Sequence, residues 1–192
     1  MSIVIRDVFE SELDTVLALN NDAGMAVLPL NADALRFLYC HASYFRVAER
    51  SGRLLGFLVG FSHTRPHSSS NFAWFHQRYS HYFYIDRIVI TSDMRGTGLG
   101  RTLYADVQSY AELRAPLLAC EVFLDHGADV ALLFHGSFGF REVGQHVMAD
   151  KGVRASMLMK DMCSYQWIND TYKGCLPNVP WVGRERQAHC LA

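Results

Sequence analysis

The feature that most constrains the fold is a strand, turn, helix, strand succession in the middle of the chain. The apolar run YFYIDRIVI (residues 82–90) leads into SDMRGTGLGRTLY (92–104), where Gly96, Gly98 and Gly100 fall between Arg95 and Arg101. Beyond the glycines, Leu99, Leu103, Val107 and Tyr110 or Ala111 recur at helical spacing until Pro116 forbids continuation, and the short apolar run LLACEVF (117–123) follows at once. Two buried strands joined by one helix over this length must pair in parallel through a crossover connection. The remaining elements have to be arranged around that pair.

Upstream, Ile3 to Ile5 predicts a strand, and Ser11 with Asp14 opens a helix carrying Leu13, Val16 and Leu17 on one face. A second helix is expected from Asn31, burying Leu35, Leu38 and Tyr39. YFRVAERSGRLLGFLVGF (44–61) predicts a hairpin turning at Ser51-Gly52, followed by a polar loop SHTRPHSSSN (62–71) and an aromatic segment that ends in the central strand. Downstream, Val130, Leu133, Phe134 and Phe138 mark a further helix that stops at Gly139 and feeds strands near Phe140 to Val143 and Arg154 to Met159. Helices and both strand pairings together predict an α+β fold: a central, twisted, mostly antiparallel mixed sheet with one parallel pair, flanked by helices.

The 192 residues, half of them hydrophobic, suffice for one good core with an appendage, read as a domain over 1–161 and an extension over 162–192. Lys plus Arg (18) and Asp plus Glu (19) nearly cancel, so no broad positive field draws in nucleic acid or an anionic membrane. The opening MSIVIRDVFE lacks the basic flank and apolar core of a signal peptide, and no run reaches the length of a membrane span, so a cytoplasmic location is expected. Cys40, Cys120, Cys163, Cys175 and Cys190 are odd in number, widely spread and form no CxxC pair; they read as reduced thiols.

A glycine-rich turn between a strand and a helix lets several backbone N–H groups converge on one point, and the helix dipole adds partial positive charge there. Such a turn is either an anion site, most naturally for phosphate, or a tight turn that only needs unusual dihedrals. No G-K-[ST] follows the last glycine, and GTGLGR does not fit G-x-G-x-x-G, which excludes the two commonest phosphate loops.

IVITSDMRGTGLGRTLY resembles the acyl-CoA-binding motif of the GNAT N-acetyltransferase superfamily, with Arg95, Gly98 and Gly100 at its defining positions. FHGSFGF (134–140) is similar to that family's closing helix and Gly-Phe turn, and NFAWFHQRY, YIDRIVI and CEVFLD are similar to a bacterial branch of acetyltransferases. The resemblance implies a GNAT-like fold and acetyl-CoA as co-substrate. It implies that the CoA pyrophosphate rests on the backbone of Arg95, Gly96, Thr97, Gly98, Leu99 and Gly100, with Arg101 and Thr102 as helpers. It further implies that the pantetheine arm pairs with Ile88, Val89 and Ile90, where a main-chain N–H would also stabilise negative charge developing on the thioester oxygen.

Transfer to an amine needs a carboxylate to remove a proton from the ammonium and a donor for the departing thiolate. Glu121, Asp86 and Asp125 are the candidate bases; against that role, Asp86 could instead pair with Arg87 and a strand-borne Glu121 could simply be solvated. The family's tyrosine, four residues before the closing glycine, corresponds to His135, with Tyr104 as the other candidate donor. Phe123 and Ala128 stand where the related branch tends to carry asparagines, a departure in the contacts to cofactor or substrate. His63, His67, His76 and His81 match no ligand spacing and no carboxylate cluster accompanies them, so no metal is expected.

These residues predict an acetyl-CoA-dependent N-acetyltransferase acting on a small-molecule or amino-acid-like amine. Two alternatives stay open: a catalytically degenerate acyl-CoA sensor, and acetylation of a protein amine. Trp167, Tyr172 and Trp181 in the extension are too apolar for a solvated tail and are expected to pack on the core or on a second copy in a homodimer.

Overall fold

The computed structural model describes residues 2–24, 27–124, 128–149 and 151–172. Seven strands, β1 (Val4–Asp7), β2 (Tyr44–Arg50), β3 (Arg53–Ser62), β4 (Phe83–Ile90), β5 (Leu117–Phe123), β6 (Arg141–Met148) and β7 (Val153–Asp161), form one sheet in the order β1-β2-β3-β4-β5-β7-β6. The mixed, mostly antiparallel sheet with one parallel pair is thereby established: β4 and β5 run parallel, Phe83 opposite Leu118 and Tyr84 opposite Ala119. The ladder has only these two rungs, and β4 continues to Ile90 beyond them.

Contacts group the chain into two compact units. The first comprises the residues up to Phe61 together with Asp86–Ser109. In it β1 pairs antiparallel with β2, and β2 with β3 through the turn at Ser51-Gly52, whose φ angles of 56° and 81° are both left-handed, as a two-residue hairpin turn requires. Helix α1 (Leu13–Asn21) follows a short 3-10 turn, Glu10–Glu12. Its entry is held by Glu12, which accepts from the Phe9 N–H at 2.9 Å and pairs with Arg6 at 2.6 Å, an ion pair that lowers the Glu12 pKa; Ser11 is not the cap. Helix α2 (Ala32–His41) starts as expected: the Asn31 side chain accepts from Ala34 N–H at 2.8 Å, and Leu35, Leu38 and Tyr39 are buried. Helix α4 (Leu99–Glu112) begins in this unit and buries Leu99, Leu103, Tyr104 and Val107.

The second unit holds Ser62–Ile85 and the described residues from 110 onward. It contains helix α3 (Ser70–His76), where only loop was expected. Ser69 caps it, accepting from Asn71 N–H at 3.2 Å, and Phe72 and Phe75 are buried on its inner face. Burial of each phenyl ring contributes about 1.5–3 kcal/mol, enough to hold so short a helix in a polar stretch. Trp74 lies against Gly144 of β6, where a Cβ would meet the indole at 2.7 Å. Helix α5 (Ala128–Ser137) ends at Gly139, φ 82°, as expected. Its apolar face differs from expectation: Val130 (77 % exposed) and Leu133 (75 %) face outward, and His135 (6 %) is buried instead. Helix α6 (Tyr165–Tyr172) buries Ile168 and leaves Trp167 exposed. The rest of the extension, with Trp181, lies outside the described residues, as does Asp125.

Cys120 and Cys163 are free thiols, whereas Cys40 is disulfide-bonded, correcting the expectation of reduced thiols at that position. Irregular spacing argues against a framework of bridges, not against a single one. Among the described residues no helix is long and apolar enough to cross a membrane.

Candidate active site

The glycine turn has the geometry of an anion cradle. β4 ends at Ile90, a 3-10 turn covers Ser92–Met94, and Gly96 and Gly98 take φ values of 77° and 91°, which side-chain-bearing residues rarely adopt. A Cβ at either glycine would meet nothing within 4 Å. The first turn of α4 leaves donors without carbonyls: the backbone N–H groups of Gly98, Leu99 and Gly100 bond to no group among the described residues, and only Thr102 N–H turns back, to Gly98 O at 3.1 Å. The side chains around the turn brace it. Thr97 Oγ1 donates to Met94 O at 2.7 Å, and Thr102 Oγ1 to Gly98 O at 3.2 Å. Arg95 donates to Ile90 O and Ala23 O, both at 3.3 Å. The exposed cradle is therefore made of backbone, with Arg101 exposed at its helical side.

In β4, Ile88 and Ile90 are partly exposed and Val89 is buried. Gly56 of β3 fixes this end of the strand, since a Cβ there would come within 2.5 Å of Val89 O and 2.9 Å of Ile90 Cδ1. Asp86 and Arg87 form an ion pair of 2.6 Å with side chains 6 % and 10 % exposed. Arg87 also donates to Asn20 Oδ1 at 2.8 Å and to Leu28 O at 3.3 Å, so Asp86 anchors an arginine that ties β4 to the connection after α1. Tyr104, the other candidate donor, is 1 % exposed on the inner face of α4.

Glu121 occupies a built environment in the second unit. Tyr84 Oη lies 2.9 and 2.7 Å from its two carboxylate oxygens, and Asn71 Nδ2 donates to Oε1 at 3.0 Å. The register explains the pairing: Tyr84 is opposite Ala119, and Glu121, two residues on, shares the face of Ala119. Two donors hold the carboxylate while its residue stays partly exposed. Around it, the His67 ring stacks on Phe72 at 4.7 Å, and Phe72 meets Tyr84 edge-on at 5.3 Å. Neither Asn71 nor Tyr84 was singled out as a site residue from the sequence. The only local signal is the Ser69 cap before Asn71, because the partnership with Glu121 spans 50 and 37 positions.

His135 Nδ1 lies 2.7 Å from Ala131 O. A carbonyl only accepts, so Nδ1 carries the proton, and in the neutral ring Nε2 is then the basic nitrogen. Burial holds the His135 pKa below the ordinary imidazole value, against the opposing pull of the Ala131 carbonyl. The His63 and His81 rings lie tilted against each other with centroids 4.8 Å apart, and burial, then the neighbouring His81, lowers the His63 pKa. Among the described residues no group of three or more His, Cys, Asp or Glu side chains is placed to hold a metal.

The sheet order, the short parallel ladder and the glycine turn describe the fold, and comparison with known proteins identifies the family. Residues 9–140 match the acetyltransferase (GNAT) family model, and the chain belongs to that family. Among solved structures, it is similar to the ribosomal-protein-S18-alanine N-acetyltransferase of Escherichia coli (16 % identity, 84 % of this chain and 94 % of that one, TM-score 0.63). It is also similar to an N-acetyltransferase of Staphylococcus aureus Mu50 (18 %, 84 % and 99 %, 0.63). A third is the ribosomal-protein-alanine N-acetyltransferase of Brucella melitensis (24 %, 82 % and 99 %, 0.60). At these identities the likeness is one of fold. No curated protein matches the chain.

Proposed function

We propose that the protein is an acetyl-CoA-dependent N-acetyltransferase of a small-molecule amine. The observation that carries the reading is the cradle at the start of α4: unpartnered N–H groups at Gly98, Leu99 and Gly100, with open space over Gly96 and Gly98. These residues fit a pyrophosphate and offer little to an uncharged ligand. Acetyl-CoA supplies the activated acyl group as a thioester. Ile88, Val89 and Ile90 would hold the pantetheine arm along β4 by main-chain bonds. Glu121, held by Tyr84 and Asn71, accepts the proton that the ammonium must lose before its nitrogen can attack. For the departing thiolate, His135 in its neutral form is poorly suited as a direct acid, which leaves Tyr104 as the other candidate donor.

Isothermal titration with acetyl-CoA, free CoA and ATP tests the reading. Micromolar binding of both CoA species, with ATP ignored, is expected; absence of binding to either CoA species would sink it. In an assay of thiol release with a panel of amines, Glu121→Gln should lower kcat about 10²-fold or more while acetyl-CoA affinity stays unchanged.

A further inference from the structure

Asn71 is completely buried (0 % exposed) at the start of α3. Its amide nitrogen is committed to Glu121 Oε1 at 3.0 Å and to the Met148 sulfur at 3.5 Å. That fixes the orientation of the carboxamide, because the flipped amide would set its carbonyl oxygen against a carboxylate. The carbonyl oxygen, Asn71 Oδ1, is buried and has no hydrogen-bond partner among the described residues. Two more buried polar atoms in the same situation are Ser70 Oγ and His146 Nε2. Ser70 precedes Asn71, and His146 lies two residues before Met148 on the same face of β6, the strand on which α3 packs. Buried polar groups are almost always satisfied, so three such atoms along one helix-on-strand contact, beside a carboxylate, are the polar groups here that remain to bond a water or a ligand group.

The chemistry selects the group. The Asn71 carbonyl and the Glu121 carboxylate both only accept hydrogen bonds, so they select a group that brings hydrogen-bond donors, and the carboxylate favours one that also carries positive charge; a carboxylate or phosphate would be repelled. The rings of His67, Phe72 and Tyr84 supply apolar and π surface beside it. We infer that Asn71 Oδ1 is a binding residue for the acceptor, receiving one N–H of a primary ammonium while Glu121 receives another. The inference rests on the N-acetyltransferase reading and deepens it. Glu121 takes one proton, the electron pair of that N–H bond stays on the nitrogen as the lone pair of a neutral amine, and Asn71 holds a remaining N–H to orient it. Acceptors that present an anion at this point are excluded, and a neutral alcohol, with a single O–H and no charge, is held more weakly than an ammonium.

Equilibrium titration needs no turnover and separates the two readings. Ethylamine, n-butylamine and 2-phenylethylamine are titrated into the full chain beside ethanol, n-butanol and 2-phenylethanol, with acetyl-CoA titrated separately. At least one amine should bind, and its alcohol at least tenfold more weakly; Asn71→Leu should weaken the amine about ten- to a hundredfold and leave acetyl-CoA affinity unchanged. Should Asn71→Leu not fold, the assigned Asn71 side-chain amide resonances of the wild-type protein serve instead, and they should shift with the amine and less with the alcohol at the same concentration. Equal binding of amine and alcohol, no binding of any amine, wild-type amine affinity in a folded Asn71→Leu, or unmoved Asn71 resonances would each overturn the inference. Amine binding without acetyl-CoA binding would leave the ammonium subsite standing and remove acetyl transfer; acetyl-CoA binding without amine binding would do the reverse.

Discussion

At Gly98 a single hydrogen in place of a side chain does two separate things. It permits φ 91°, and it leaves the space above the helix N-terminus empty. Gly98→Val should therefore cost roughly 1–3 kcal/mol in backbone strain and, independently, abolish acetyl-CoA binding, because an isopropyl group would stand where the proposed cradle would receive the phosphate. Calorimetric titration of the folded variant separates the two, and unchanged affinity would defeat the anion-cradle reading. His135 makes a different residue-scale prediction. Its folded pKa lies below its unfolded value because burial disfavours the cation, so above the unfolded pKa both states are neutral and no stability depends on pH. As pH falls through the unfolded pKa towards the folded one, the unfolded chain takes up a proton first and stability drops. Urea melts from pH 7.5 to 5 should show a steeper loss for the wild type than for His135→Gln; His63 pulls in the same direction in both proteins and cancels from the difference.

At the scale of elements, β3 and β4 meet with no room to spare at Gly56. Alanine there would put a methyl group 2.5 Å from a backbone oxygen of Val89, an atom that cannot rotate away. Gly56→Ala is expected to destabilise the protein by roughly 1–3 kcal/mol and to weaken acetyl-CoA as well, since the displaced residues are Val89 and Ile90; chemical denaturation and titration read the two effects. The elements also show which parts of the chain were legible. Helix α2, with its Asn31 cap, the Ser51-Gly52 hairpin, the β4–α4–β5 crossover and the stop at Gly139 all carry local signals, and each is present. Helix α3 was hidden because its seven residues straddle the end of the polar loop and the start of the aromatic segment, too short for a helical period, and what stabilises it is the burial of Phe72 and Phe75. On α5 the pattern of Val130 and Leu133 pointed inward, but packing chose the His135 face, since Nδ1 could be satisfied by Ala131 O. A periodic pattern specifies a stripe, and only the neighbouring surfaces choose which stripe is covered.

At the scale of the whole molecule, a ligand that binds only the folded chain raises its melting temperature by mass action. Acetyl-CoA at a hundred times its Kd should add about 2.7 kcal/mol and shift Tm by about 5–11 °C for a chain of this size, with ATP at the same concentration giving no comparable shift. Equal shifts with both would indicate a general phosphate site. The chain by itself determined the class of fold, the place of the glycine cradle and the family, because these follow from contiguous patterns: a buried strand, three spaced glycines, a helical period and a proline. Only the tertiary structure decided what surrounds Glu121. Asn71 and Tyr84 come from different elements and are brought to one carboxylate, while Met148 of β6 meets Asn71 from a third, through strand register and the packing of α3 on β6. Hydrogen bonds that reach across 50 positions leave no trace in local composition, since their energy appears only once the backbone has been folded around them.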